Sequence, residues 1–175
     1  MTANVRILPG LPAYGVPAEP FPSSGYGAHR EGTVVEFEDK DGNKWIGNFQ
    51  PGLNAYNAVF DTFGADRPIV IAGGSGYVVD VPSHKVIEEF GGAIDWALEW
   101  HGRLVLADGI GFVARNRDGV VWKSDRVSWD GMRDLSHDGG RVRGFAYSPL
   151  DDDYHSFDLD LETGNFSGGS YNGPP

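Results

Sequence analysis

The chain contains no cysteine. That absence excludes disulfides, thiolate metal sites and cysteine nucleophiles, and it fits a reducing compartment, so a cytoplasmic protein is expected. Basic residues are also scarce, with 14 Lys and Arg against 25 Asp and Glu and a formal net charge of −11. No basic cluster is denser than Arg141 and Arg143. Such a chain repels phosphate backbones and anionic membranes. Its acidity suits solubility, a cationic ligand or a basic protein partner. Long apolar runs are missing too. Within residues 1–32, Pro9, Pro12, Pro17, Pro20 and Pro22 interrupt every hydrophobic stretch, so neither a signal peptide nor a membrane span is expected there.

The catalytic vocabulary is equally thin. His29, His84, His101, His137 and His155 form no HxH, HExxH or HxxxH pair, and most fall in expected turns. The stretch Asp39-Lys40-Asp41-Gly42-Asn43 begins like a calcium loop, but its twelfth position is Pro51 where the loop requires Glu. Gly73-Gly74-Ser75-Gly76 lacks the Lys-Ser/Thr and the helix of a phosphate-binding loop. No catalytic residue, metal site or cofactor is therefore expected.

What the chain does have is glycine, proline and aromatic residues: 26 Gly, 11 Pro and 13% Phe, Trp and Tyr within 175 residues. The glycines and prolines punctuate short apolar runs, which reads as a turn-rich all-β protein with a real core. Residues 1–31 are expected to form an extended, Pro-rich arm packed on the body, and residues 32–175 a single β domain. Two β-rich runs flank Asp39-Lys40-Asp41-Gly42, a strong hairpin signal because Asp-Gly tolerates positive φ. One short helix is expected near residues 54–63, from apolar spacings of three and four behind Asn54 as a possible N-cap.

The middle of the chain repeats. Val70-Ile71-Ala72-Gly73-Gly74-Ser75-Gly76-Tyr77-Val78 aligns with Val105-Leu106-Ala107-Asp108-Gly109-Ile110-Gly111-Phe112-Val113 at an offset of 35. Residues 85–87 fall on residues 120–122 at the same offset, residues 32–45 echo the later half of the unit, and residues 141–169 form a looser copy. Units of three or four short strands at this spacing resemble propeller blades, of which closed rings typically hold about 4–8. The expected fold is an antiparallel meander of repeated units, partial-propeller-like.

Two features bear on binding. Asp151, Asp152 and Asp153 are the densest acidic cluster, and Asp158, Asp160 and Glu162 follow at alternate positions, on one face of an expected strand. Carboxylates on an open strand do not enclose an ion, so a basic partner is preferred to a metal. Trp45 and Trp122 occupy equivalent repeat positions and are expected in the core. Ile94, Trp96 and Leu98 should share a strand face. Trp129, in Ser128-Trp129-Asp130-Gly131, is the one tryptophan in an expected turn.

The segments Ser128-Trp129-Asp130-Gly131, Gly144-Phe145-Ala146-Tyr147, Phe157-Asp158-Leu159-Asp160-Leu161-Glu162-Thr163-Gly164 and Gly168-Gly169 resemble motifs of a group of uncharacterised bacterial proteins. The resemblance covers about the last 70 residues and implies no activity. In size and charge the chain is similar to toxin-neutralising immunity proteins. The expectation is a non-enzymatic, protein-binding β domain whose acidic surface involves Asp151, Asp152, Asp153, Asp158, Asp160, Glu162 and Trp129. The alternatives are a carbohydrate or small-ligand module using an exposed tryptophan, and a hydrolase with paired carboxylates such as Asp130 and Asp153.

Overall fold

The computed structural model describes residues 4–24 and 30–173. It divides the chain into two units, Met1–Ile94 and Asp95–Pro175. Both are built from strands, and no helix occurs among the described residues.

The first unit begins with β1 (Asn4–Ile7), β2 (Glu19–Phe21), β3 (Thr33–Glu38) and β4 (Lys44–Phe49), which form one sheet in the order β1-β3-β4-β2. The Pro-rich arm thus supplies both edges of this sheet: β1 runs antiparallel to β3, and β2 runs parallel to β4. The β3–β4 hairpin turns where Asp-Gly predicts. Asp39 Oδ1 accepts the N–H groups of Asp41 and Asn43, both at 2.9 Å, while Gly42 takes φ +83°. Hydrogen bonding to Asn43 holds the Asp39 carboxyl below its usual range. The Asp39 carboxylate is a turn builder.

A second sheet follows, of β5 (Ala58–Phe60), β6 (Ile69–Ala72), β7 (Ser75–Asp80) and β8 (Lys85–Gly91), paired antiparallel in sequence order. The helix expected near residues 54–63 is absent from it. The N–H groups of Gly52, Leu53 and Asn54 donate to the carbonyls of Ala72, Gly92 and Gly73 at 2.8–3.0 Å. Asn54 Oδ1 accepts the Tyr56 N–H at 2.8 Å and its Nδ2 donates to the Ile94 carbonyl. The Tyr56 carbonyl, which a helix would pair with the Phe60 N–H, instead accepts the Gly74 N–H at 3.1 Å, and the chain then enters β5 against β6. The apolar spacing that suggests a helix here is a loop running into a strand.

The second unit contains β9 (Trp96–Trp100), β10 (Arg103–Ala107), β11 (Phe112–Asn116) and β12 (Gly119–Lys123) in one sheet, ordered β12-β11-β10-β9. The last sheet, β13 (Met132–Asp138), β14 (Arg141–Ser148), β15 (Asp153–Asp160) and β16 (Phe166–Gly168), is likewise a meander in sequence order. The 35-residue repeat is structural. Ile69, Val70, Ile71 and Ala72 in β6 correspond to Leu104, Val105, Leu106 and Ala107 in β10, and all eight are buried. Continuous apolar runs of this kind are strands covered on both faces.

Three strands at the margins of their own sheets share a device. Register shifts in the β7–β8, β11–β12 and β13–β14 pairs leave Ile87, Val121 and the Asp134-Leu135 pair outside the regular register. Such bulges twist an edge and interrupt its row of free backbone groups, which discourages pairing with another chain.

Each unit has its own core. In the first, Phe37, Trp45, Phe49, Val70, Tyr77 and Val79 pack together. Trp45 is only 2% exposed, with its ring stacked on Phe37 at a centroid distance of 4.3 Å. In the second, Phe112, Val142, Ala146, Phe157, Leu159 and Leu161 form the cluster, with Trp96, Leu98, Trp100 and Trp122 packed around it. Trp96 and Leu98 share a face as expected, and Trp100 extends that row. Ile94 precedes the strand and is buried in the first unit.

Candidate functional site: the outer face of the last sheet

Strand β14 reads Arg141-Val142-Arg143-Gly144-Phe145-Ala146-Tyr147-Ser148, and its burial alternates with the same period. Val142, Gly144, Ala146 and Ser148 are buried, whereas Arg141, Arg143, Phe145 and Tyr147 lie on the opposite, outer face. The register with β15 places Asp160, Asp158, Ser156 and Tyr154 directly across from these four residues. One sheet face therefore carries a charged half and an aromatic half.

In the charged half the carboxylates are neutralised within the sheet. Asp158 accepts from Arg141 Nε, and from Arg143 Nε at 3.1 Å, while Asp160 lies 3.5 Å from Arg141 Nη1. The Arg141 and Arg143 guanidiniums hold the Asp158 carboxyl below its ordinary range. Asp160 also caps the following turn, accepting the N–H groups of Glu162 and Thr163 at 2.9 Å, and these bonds with the Thr163 hydroxyl lower its pKa. Glu162 lies beyond the strand and pairs with Arg103 of β10 at 2.8 Å. The alternation of acids in the sequence is thus matched by an alternation of arginines on the neighbouring strand. Asp158, Asp160 and Glu162 build the sheet and its turn.

Because folding depresses the Asp158 pKa, its stabilising contribution is present above the usual carboxylate range and is lost as pH falls through the folded-state value. The Asp158→Asn variant is accordingly expected to lose less stability than the parent chain between about pH 5 and about pH 2. Urea midpoints across that range, followed by circular dichroism, test this. Identical pH slopes would show that the arginine pairing contributes nothing.

The aromatic half differs. Phe145 is 41% exposed, and Tyr147 faces Tyr154 across the strands with ring centroids 5.3 Å apart. Arg133 of β13 lays its guanidinium 3.6 Å from the centroid of the Tyr154 ring, a close cation–π contact. The Tyr147 hydroxyl donates to Asp152 at 2.9 Å, which raises the Tyr147 pKa, and Asp130 adds to the effect. Asp152 takes φ +56° in the β14–β15 turn, and Asp153 opens β15 with Oδ1 accepting the Tyr154 N–H. Asp151 pairs with His155 Nε2 at 2.9 Å, and bonds to Ser148 and His155 depress its pKa. Among the described residues, Asp130, Asp152 and Asp153 meet no lysine or arginine within ion-pair distance.

The loop before β13 brings Asp130 here. Ser128, wholly buried, donates its hydroxyl to the Gly131 carbonyl at 2.7 Å and lies 3.2 Å from the Tyr147 carbonyl. Trp129 N–H and the Tyr147 carbonyl are both bonded to the Ser170 hydroxyl. The Trp129 indole is half-buried, edge-on to Tyr171 at 4.6 Å, with Arg126 near both rings and donating to the Ser128 and Trp129 carbonyls. Trp129 therefore anchors its loop.

His84 stacks on Trp45 and pairs with Glu19, His101 stacks on Trp100, His137 is exposed on β13, and His29 lies outside the described residues. No group of three or more His, Asp or Glu that could hold a metal ion occurs among the described residues. No protein-family model matches the chain, and no curated protein matches it significantly.

Of the residues singled out in the sequence, Asp151, Asp152 and Asp153 lie at the aromatic end of the sheet, Asp158, Asp160 and Glu162 are paired with arginines, and Trp129 lies in the loop before β13; Arg133, Phe145, Tyr147 and Tyr154 were not among them. The missing signal was the period-2 pattern of residues 141–147, which separates small buried residues from large exposed ones.

Proposed function

We propose that this protein is a non-enzymatic binding module that docks a basic protein partner on the aromatic, acidic half of the β13–β16 outer face. The observation that supports the reading is the placement of Phe145, Tyr147, Tyr154 and Arg133 beside Asp130 and Asp152, with Asp153 at the adjoining end of β15 opposite Ser148. Tyrosine and arginine are the residue types that dominate binding energy at protein interfaces, and carboxylates without internal cations are the groups a basic partner neutralises. The acidic surface thereby contracts to one end of the sheet, because Asp158, Asp160 and Glu162 have their own arginines. An inhibitor that masks a basic toxin is the sharpest form of this reading.

A hexa-lysine peptide tests the electrostatic part. Titration of the isotope-labelled protein at low salt should shift the amide resonances of residues 145–154 saturably, and about 0.5 M salt should abolish the effect, since it shortens the screening length to a few ångströms. The triple substitution Asp130→Asn, Asp152→Asn, Asp153→Asn should weaken binding about 10-fold or more. Shifts centred on residues 158–162, or unchanged affinity in the triple variant, would refute the assignment.

A further inference from the structure

The segment joining β1 to β2 has a character unlike the rest of the chain. From Ile7 to Ala18 it contains no charged residue, although 22% of the whole sequence is charged, and it holds Pro9, Pro12 and Pro17. Strand pairing tethers both ends, with β1 on β3 and β2 on β4, and the last backbone bond on entry runs from Leu8 N–H to the Val34 carbonyl. Among the described residues, the backbone of residues 9–18 makes no hydrogen bond. Leu11 and Val16 are exposed, and Tyr14 is 94% exposed with no ring contact among the described residues. Gly15 then takes φ +107°, a left-handed conformation open to glycine, so the chain turns immediately after the tyrosine.

We propose that residues 9–14, Pro9-Gly10-Leu11-Pro12-Ala13-Tyr14, form a linear docking motif for a partner protein with an aromatic-lined, proline-binding groove. Three observations fit this occupant. A Pro-x-x-Pro segment without internal hydrogen bonds is what such grooves read, because proline rings fit between aromatic side chains and the free carbonyls accept from the groove's edge. Tethering at both ends and proline-restricted φ lower the entropy lost on docking. A tyrosine this exposed offers a partner a large amphipathic surface. The absence of charge separates this surface from the carboxylates of the last sheet. A partner here is selected by shape and apolar contact, with little dependence on salt.

The full chain, labelled with a fluorophore outside the first unit, is titrated with an SH3, a WW and an EVH1 domain as probes. Saturable binding to at least one is expected. The Pro12→Ala and Tyr14→Ala variants should each weaken it about 10-fold or more. Tyr14→Phe should retain most of the affinity, and about 0.5 M salt should change it little. The variants should keep the parent melting temperature, because these exposed side chains make no hydrogen bond, ion pair or ring contact among the described residues. The proposal fails if none of the domains binds, if binding survives both alanine substitutions, or if salt abolishes it.

Discussion

Trp45→Ala is expected to destabilise the first unit by about 3–5 kcal/mol, a large share of the stability of any small domain. The indole is 2% exposed and lies where three elements converge. Phe37 of β3 stacks on it at 4.3 Å, Phe21 of β2 meets its edge at 6.2 Å, and His84 of the β7–β8 turn stacks at 4.4 Å. Truncation removes the largest buried side chain and leaves a cavity lined by rings too rigid to collapse into it. The loss should also loosen β2, whose Phe21 stacks on Phe49 at 5.1 Å beside the vacated space. Urea unfolding by circular dichroism measures the cost, and amide exchange in residues 19–21 reads the loosening. Trp45→Phe should cost markedly less, because it keeps the stacking and removes an indole N–H that meets no acceptor among the described residues. Equal losses in the two variants would show that stacking volume is not what Trp45 supplies.

How much of this was legible in the sequence depends on the range of the interactions. The β3–β4 hairpin was readable because its turn is local: Asp39, Asp41, Gly42 and Asn43 satisfy one another within five residues. The repeat was readable because equivalent strands bury equivalent runs, so Val70-Ile71-Ala72 and Val105-Leu106-Ala107 record the same environment twice. Residues 54–57 misled because their partners are distant. Nothing near Asn54 in the sequence announces Gly73, Gly92 or Ile94. The same holds for β2, whose pairing with β4 is parallel and spans a connection longer than any local signal.

The proposed binding face shows the limit most clearly. Counting carboxylates at residues 151–162 gave an acidic strand, and β15 does carry Asp158 and Asp160 on one face. What composition could not show is register: Arg143 lies opposite Asp158 and Arg141 opposite Asp160, so the acids are half of a neutral ladder. Register also sets Tyr147 against Tyr154, which makes an aromatic surface from two residues that look unremarkable apart. The surface charge that matters is the part folding leaves uncompensated.

Gly164→Ala is the second large effect, and it tests how the turn after β15 supports the last sheet. Gly164 is buried at φ +75°, with its N–H donating to the Asp160 carbonyl at 2.8 Å. A methyl group there would stand 2.5 Å from Trp122 Cε3, well inside contact distance. Trp122 cannot easily withdraw, because its Nε1 donates to the Leu161 carbonyl and its ring packs against the second core. Left-handed strain of about 1–2 kcal/mol and overpacking of about 1–3 kcal/mol therefore combine to a loss of about 2–5 kcal/mol. The two parts separate in a double-mutant cycle. With Trp122→Ala as background the clash is gone, and Gly164→Ala should cost only the backbone part, about 1–2 kcal/mol. If the cost is the same in both backgrounds, the glycine is required by its backbone alone. If it falls, the turn that Asp160 caps and the indole of β12 are one packed unit. A carboxylate that looked like a binding residue in the sequence would then be part of what holds Trp122 in place.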